Sequence, residues 1–127
     1  MMASYLLDSS FLIDHLRGVA AATERFHAIN DGGEIAIVCD VSAAEVWSGH
    51  RSEHPGIDRL LRYIEFVQPG PETSRLAGVW RAEARARGRT LDIPDALIAA
   101  SAFHLHAAVL TRNVRDFELT PVRIETY

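Results

Sequence analysis

Apolar and polar positions along the chain predict short strands that alternate with amphipathic helices. An apolar run ends at Asp8, and Ser9-Ser10 directly after it is a typical helix start. Branched apolar residues follow the turn Asn30-Asp-Gly-Gly33 and predict a buried strand at 34–38. Further strands are predicted at 5–7, 65–68, 107–111 and 122–126. Helices are predicted at about 9–17, 20–29, 42–50, 57–64, 72–87 and 94–106.

This order of elements predicts the fold class. Strands separated by helical stretches favour parallel pairing, and therefore an α/β sandwich with helices on both faces of the sheet. The 127 residues contain no repeat or long linker, so we expect a single domain spanning 1–127. Functional sites in parallel sheets form beyond the carboxyl ends of the strands. Asp8 stands at such a position.

The composition and the cysteine content predict the cellular compartment. Hydrophobic residues make up 48% of the chain and charged residues 24%, as in globular proteins. The single cysteine, Cys39, lies in an apolar run, which predicts a buried thiol and favours a reducing compartment. The N-terminus lacks a signal-peptide pattern, and no apolar run approaches the roughly 20 residues that cross a bilayer. We therefore expect a cytoplasmic protein without membrane contact.

The charged residues exclude some kinds of chemistry. The net charge of −4 argues against strong unassisted binding to nucleic acid. All thirteen basic residues are arginine, so a Walker-type phosphate loop and a lysine Schiff base are both excluded. The six histidines are scattered, and no pair of them is predicted to meet as a histidine-type ribonuclease requires.

Four acidic residues stand out, although each has an ordinary structural explanation when taken alone. Asp8 follows a strand and precedes a helix, where it would act as a cap. Glu45 completes the capping-box pattern Ser42-Ala-Ala-Glu45. Asp95 follows Pro94 in the first helical turn, where its negative charge would interact favourably with the helix dipole. Asp116 lies in a loop after a strand, where a carboxylate is usually just solvated.

Together, the four acids point to a metal site. In a parallel α/β fold their positions fall on the same edge of the sheet. Carboxylates brought together there raise one another's pKa unless a cation joins them. Mg²⁺, or Mn²⁺ in its place, prefers oxygen ligands and activates water for attack on a phosphate. Asp92 is close enough in sequence to compete with Asp95 for its place.

Four segments in this order and spacing resemble a PIN-domain ribonuclease, in particular the VapC-type toxin of a VapBC toxin–antitoxin pair. The segments are Leu7-Asp8-Ser9-Ser10, Val41-Ser-Ala-Ala-Glu45-Val46, Ile93-Pro-Asp95-Ala-Leu-Ile-Ala-Ala-Ser101 and Leu110-Thr-Arg-Asn113-Val-Arg-Asp116-Phe117. The resemblance covers essentially the whole chain. It implies a PIN-like fold with a roughly five-stranded parallel sheet and a metal-dependent endoribonuclease that leaves a 5′-phosphate and a 3′-hydroxyl.

The resemblance also implies roles for individual residues. The catalytic and metal-binding positions are those of Asp8, Glu45, Asp95 and Asp116. Ser9, Thr111 and Asn113 match the polar residues around them. Some relatives carry an acid at the Asn113 position, so either Asn113 or Asp116 is the residue nearer the metal. The expected partners are an RNA substrate (tRNA, rRNA or mRNA), a small antitoxin protein and a second copy of the chain.

An acidic site needs basic residues to hold RNA. Arg81, Arg85 and Arg89 are spaced four apart, which predicts a stripe along one side of the long helix and its end. Arg112 is expected to lie nearest the metal. An ordinary solvated helix face explains the stripe equally well. The two tryptophans, Trp47 and Trp80, are interpreted as core or dimer packing rather than as base-stacking residues.

Two kinds of alternative remain open at this point: a non-catalytic PIN-like binding module, and a metal-dependent phosphatase or flavodoxin-like domain on a similar sheet. A non-catalytic PIN-like module that binds RNA or protein would need no acids, and all four are present. A metal-dependent phosphatase would carry a second aspartate two residues after Asp8, where this chain has Ser10. A flavodoxin-like domain would need a polar phosphate loop after the first strand, and the segment Ser9-Ser10-Phe11-Leu12 is too apolar and too short to form one.

Overall fold

The computed structural model describes residues 2–49 and 54–127. Within them the chain forms one parallel sheet of five strands, in the order β3-β2-β1-β4-β5. The strands are β1 (Ser4–Leu7), β2 (Ile35–Cys39), β3 (Glu65–Val67), β4 (Ala108–Leu110) and β5 (Ile124–Glu125). Because β1 is central, its carboxyl end lies between those of β2 and β4. This geometry places the residue after β1, Asp8, at the middle of the sheet edge.

Helices connect the strands. The helices of the described residues are α1 (Ser9–Leu16), α2 (Ala20–Asp31), α3 (Asp40–Ser48), α4 (Pro55–Arg62), α5 (Pro71–Ala86) and α6 (Ile93–His104). A short 3₁₀ turn at Val114–Phe117 follows β4. Gly18 has a φ of +76° between α1 and α2, a backbone conformation that favours glycine. The sharp turn at this position lets α2 follow α1 directly.

Side chains on the two faces of the sheet pack into separate cores. Tyr5 and Leu7 of β1 pack with α1, α2, α3 and α4, whereas Leu6 packs with α5 and α6 on the other face. This alternation follows from the two-residue period of a strand. Both leucines are fully buried, as expected of a strand covered on both sides. The predicted α/β/α sandwich with five parallel strands is therefore confirmed.

Several predicted boundaries differ from the structure. The helix predicted to begin at Ser42 begins at Asp40, directly after β2, with Cys39 as its N-cap. The negative charge of Asp40 in the first turn interacts favourably with the helix dipole, which allows this earlier start. Ser42 is therefore the third helical residue, and the predicted capping box with Glu45 is wrong. The predicted end of this helix, His50, lies outside the described residues.

Two further differences lie near the C-terminus. The helix predicted to run to about His106 ends at His104, since His106 has a φ of 54° that no α-helix accommodates. The segment predicted as a loop before Asp116 contains the 3₁₀ turn, whose Phe117 is fully buried. A single buried aromatic residue thus anchors the turn that carries Asp116.

The predictions of a buried Cys39 and of core packing for Trp80 are confirmed. Cys39 is a buried free thiol. Trp80 is 6% exposed and its ring makes an edge contact with Phe103 at 5.5 Å. No helix in residues 2–49 or 54–127 combines the length and apolar character that a membrane crossing needs.

Candidate active site

Asp8 is the most deeply buried of the four predicted acids, with 4% of its surface exposed. It follows β1 as the N-cap of α1, and its backbone N–H donates to the Leu110 carbonyl of β4 at 3.0 Å. Its Oδ2 atom accepts hydrogen bonds from the hydroxyls of Ser10, at 2.8 Å, and Thr111, at 2.7 Å. Both bonds use the same oxygen, so neither occupies Oδ1.

Backbone groups hold these two hydroxyls in turn. The Arg112 N–H donates to Ser10 Oγ at 3.1 Å, and the Asn113 N–H donates to Thr111 Oγ1 at 2.9 Å. A hydroxyl has a single proton to donate. Because both hydroxyl protons point to Asp8, each hydroxyl accepts a hydrogen bond from a backbone N–H and donates one to the carboxylate. Two short hydrogen-bond chains therefore end on one carboxylate oxygen.

Glu45 reaches the same region from α3. Burial raises the pKa of its carboxyl group, and the negative charges of Asp8 and Asp116 raise it further. A hydrogen bond with the Ser9 side chain acts in the opposite direction. Ser9 therefore contacts Glu45, and Ser10 takes the place beside Asp8.

Asp95 is the third residue of α6 and has the most strongly perturbed carboxyl group of the site. Burial, followed by the charges of Asp116, Asp8, Glu45 and Asp92, raises its pKa from 3.8 to about 7. A carboxylate with four acidic neighbours resists ionisation because each neighbour disfavours a further negative charge. The same crowding would favour a bound cation.

Asp116 lies on the exposed side of the 3₁₀ turn. Its pKa is raised by burial first and then by Asp8 and Asp92. Asn113 precedes this turn as its N-cap and contributes its backbone N–H to Thr111. Of the two candidates for the fourth position, Asp116 is the one whose charge acts on Glu45 and Asp95.

A cleft of about 530 Å³ brings three of the acids together. Its walls are formed by Glu45, Arg81, Asp92, Ile93, Pro94, Asp95 and Asp116. Asp8 acts electrostatically on Glu45, Asp95 and Asp116 alike. Within residues 2–49 and 54–127, however, no group of three or more His, Cys, Asp or Glu side chains is arranged so that it could hold a metal ion. Three of the acids share a cleft, and coordination of one ion by all four would require some of their side chains to move.

Only one of the four predicted RNA-binding arginines lines this cleft. Arg81 Nε donates to the Leu91 carbonyl at 2.9 Å, which fixes part of the side chain at the cleft wall. Arg85 is exposed in the last turn of α5, and Arg89 lies beyond the end of that helix. Arg112 directs Nη1 to Asp14 at 2.6 Å.

The contacts of Asp14 were not predicted from the sequence. Asp14 is buried within α1, where it accepts from Arg112 and, at 2.6 Å, from the hydroxyl of Tyr127. Burial and the bond to Asp14 raise the pKa of Tyr127. The available signal was an acid beside the apolar face formed by Phe11, Leu12 and Leu16, but its partners lie about a hundred residues further along the chain. Ser10 was missed because Ser9 beside it offered the same hydroxyl.

Comparison with known proteins assigns the chain to a family. The family model of the PIN domain matches residues 5–121. The chain belongs to the PIN domain family. Ribonuclease VapC19 of Mycobacterium tuberculosis is 34% identical over 118 residues, which cover 91% of this PIN domain chain and 94% of the relative. Ribonuclease VapC10 of the same organism is 37% identical over 116 residues, covering 90% and 86%.

Solved structures share the PIN fold. The structure of VapBC2 from Rickettsia felis bound to a promoter DNA fragment matches with a TM-score of 0.85 at 17% identity, covering 98% of both chains. That of DNA-bound VapBC from Salmonella typhimurium matches with a TM-score of 0.81 at 22% identity, also covering 98% of both. These likenesses agree with the sheet order and helix layers described above.

Proposed function

We propose that this PIN domain protein is a metal-dependent endoribonuclease and the toxin of a type II toxin–antitoxin pair. The observation that carries the proposal is a set of four carboxylates from four separate segments: Glu45, Asp95 and Asp116 line one cleft, and the charge of Asp8 acts on all three. A cluster of this kind is costly to the fold, and a function explains its presence. The relatives named as VapC ribonucleases support RNA as the substrate.

The donor set fits a hard divalent cation, with Mg²⁺ as the proposed ion and Mn²⁺ as a substitute. Every candidate ligand is a carboxylate oxygen, the donor that these ions prefer. Asp8, Glu45, Asp95 and Asp116 would hold the ion, and Asp8 would use the oxygen that its two hydroxyl partners leave unoccupied. Bound there, the ion would supply charge neutralisation at the phosphate and a more acidic water.

The protein's own residues perform the other parts of the reaction. Arg81 at the cleft wall would pair with an RNA phosphate, with Arg85 and Arg89 as weaker contacts outside the cleft. A water would attack the phosphorus and the bond to the 3′-oxygen would break, leaving a 5′-phosphate and a 3′-hydroxyl. In the metal-free protein the pKa of Asp95 is raised to about 7, so its carboxyl group is partly protonated near neutral pH, and binding of the ion would release that proton.

The proposal includes partners for the chain. Several proteins with this fold were solved as toxin–antitoxin complexes, including one from Klebsiella pneumoniae with a TM-score of 0.77. We propose that a small antitoxin protein inhibits this chain and that the chain forms a homodimer. Exposed apolar residues on α5 and α6, Val79 and Phe103, are candidates for such contacts. Growth arrest on expression of the chain alone, relieved by the product of a short neighbouring gene, would support the antitoxin.

Incubation of the purified protein with total cellular RNA tests the nuclease activity. We expect fragments with 5′-phosphate ends in Mg²⁺, and intact RNA with a chelator. Asp8→Asn should abolish cleavage while RNA binding persists, and the exposed Asp31→Asn should behave like the wild type. Identical RNA in both tubes would reject the nuclease function and favour a non-catalytic binding module.

A further inference from the structure

A network around the buried carboxylate of Asp14 takes no part in the chemistry proposed above. Asp14 of α1 is 5% exposed and accepts two short bonds, from Arg112 Nη1 and from the Tyr127 hydroxyl, both at 2.6 Å. A buried carboxylate is costly unless it is paired and hydrogen-bonded. These two donors satisfy that requirement, and they connect α1 to the loop after β4 and to the last residue of the chain.

The backbone of Arg112 connects this network to Asp8. Its N–H donates to Ser10 Oγ, and Ser10 Oγ donates to Asp8 Oδ2. The next N–H along the chain, that of Asn113, starts the parallel path through Thr111 to the same oxygen. Both hydrogen-bond chains on Asp8 therefore start at consecutive residues of one loop. Any shift of residues 112 and 113 would disturb both at once.

This loop needs an anchor. Arg112 and Asn113 are exposed, and exposed loops are in general more mobile than the elements they connect. The ion pair from Arg112 to Asp14 fixes the loop to α1, the same helix that carries Ser10. Tyr127 completes the anchor, since its ring meets the fully buried Phe11 edge-on at 5.0 Å while its hydroxyl holds Asp14.

We propose that Asp14, Arg112 and Tyr127 are positioning residues that fix the loop at 112–113 and thereby orient the metal-binding carboxylate of Asp8. This inference rests on the proposed function. It gives Arg112 a different task from the RNA contact expected from the sequence. The ion pair with the buried Asp14 fixes the position of the guanidinium, and removing it would leave a buried carboxylate without its cation, which is unfavourable.

Three variants test the proposal. Arg112→Ala removes the anchor, and Arg112→Lys keeps the charge with a different shape. Tyr127→Phe removes only the hydroxyl and keeps the ring against Phe11, so it is the variant least damaging to the fold. The exposed Arg123→Ala is the matched control, because it removes the same charge elsewhere on the surface. Mn²⁺ affinity is measured by calorimetry without RNA, and kcat and KM for RNA cleavage are measured separately.

Substitution of residues that orient metal ligands typically weakens metal binding or activity by about 10- to 100-fold. One step further from the ligand, we expect Arg112→Ala to weaken Mn²⁺ binding by about 10-fold and Tyr127→Phe by about 3-fold. Values of kcat should fall in parallel with KM unchanged, Arg112→Lys should recover part of the loss, and Arg123→Ala should match the wild type.

Other outcomes would overturn the proposal. A raised KM with unchanged Mn²⁺ affinity in Arg112→Ala would make Arg112 an RNA ligand instead. A lower unfolding temperature with unchanged Mn²⁺ affinity and kcat would make the network purely structural. If the wild type binds and cleaves while the variants bind Mn²⁺ equally well, the inference alone fails. If the wild type takes up no Mn²⁺, the proposed metal dependence fails with it.

Discussion

Asp8 and Asp95 both stand at the start of a helix, Asp8 as the N-cap of α1 and Asp95 as the third residue of α6. Their surroundings differ. Asp8 is buried among donors, and two hydroxyls with backbone support hold one of its oxygens. Asp95 is only partly buried, and burial and four acidic neighbours raise its pKa to about 7.

This difference suggests a division of labour within the site. A carboxylate held by donors keeps its orientation whether or not a ligand is present. A carboxylate surrounded by like charges has an unfavourable electrostatic energy until a bound cation or a proton reduces the repulsion. We therefore interpret Asp8 as the fixed ligand and Asp95 as the residue whose state depends on what occupies the cleft.

Replacing each acid by its amide should give the largest effects. Asp8→Asn and Asp95→Asn should each reduce cleavage by more than about 100-fold, since loss of a ligand exceeds loss of a ligand's neighbour. Their stabilities should diverge in chelator at pH 8. Asp95→Asn removes a repelled charge and should raise the unfolding temperature, whereas Asp8→Asn exchanges charge-assisted hydrogen bonds for weaker neutral ones and should lower it.

Thermal unfolding of both variants beside Asp31→Asn measures this divergence. Asp31 is exposed at the end of α2, so its amide variant reports the effect of losing one surface charge. A shift of Asp8→Asn and Asp95→Asn in the same direction would contradict the contrast between a held and a repelled carboxylate.

Removing one hydroxyl partner of Asp8 should have the next largest effect. Thr111→Val keeps the shape of a fully buried side chain but removes the donor to Oδ2 and the acceptor for the Asn113 N–H. We expect kcat to fall by about 10- to 100-fold, as for other residues that orient metal ligands. Thr73→Val, at a buried threonine in the first turn of α5, is the control and should retain full kcat.

The fold was predictable because its signals are local. Three strands, β1, β2 and β4, are short and mostly apolar runs bounded by turn residues or a helix start, and the two-sided burial of β1 follows from its continuous apolar sequence. Boundaries were less secure. Ser42 offered a convincing capping box, but Asp40 allows α3 to begin at the end of β2. Nothing local distinguishes these two starts.

The site was predictable only in part, for a related reason. The rule that sites form at the carboxyl ends of parallel strands singles out Asp8, the positions of the other three acids on the same sheet edge suggested a metal site, and the family resemblance implied their roles. The residues that hold Asp8 depend on contacts across the chain: Thr111 is 103 positions away from it, and Tyr127 is 113 positions from Asp14. No periodicity or spacing encodes such pairs.

The raised pKa of Asp95 predicts that metal uptake depends on pH. In the metal-free protein the carboxyl group of Asp95 costs no folding stability below its ordinary pKa of 3.8, where it is protonated in both the folded and the unfolded state. The cost is complete above about pH 7, where the group is charged in both states. Below pH 7 an arriving cation must therefore displace a proton. Affinity for Mn²⁺ should fall by up to about tenfold per pH unit below 7 and level off above it.

Calorimetric titration with Mn²⁺ at pH 6 and pH 8, in buffers of different ionisation enthalpy, counts the protons released. The wild type should release close to one proton more at pH 6 than at pH 8. Asp95→Asn should lose most of this difference, although its affinity is weaker overall. Equal proton release by both proteins at pH 6 would assign the displaced proton to another group.

Replacement of Arg81 should have the smallest effect of the four predictions, and the effect should be on KM for RNA. As the arginine of the cleft wall it is proposed to hold an RNA phosphate and not the metal. Arg81→Ala should raise KM for RNA by about 3- to 10-fold with kcat and Mn²⁺ affinity nearly unchanged, and should reduce the salt dependence of RNA binding by about 0.7 in log–log slope. The exposed Arg59→Ala should leave both unchanged. A fall in Mn²⁺ affinity in Arg81→Ala would instead show that its bond to the Leu91 carbonyl supports the acids across the cleft, and the separation between residues that bind the ion and residues that bind RNA would then no longer hold.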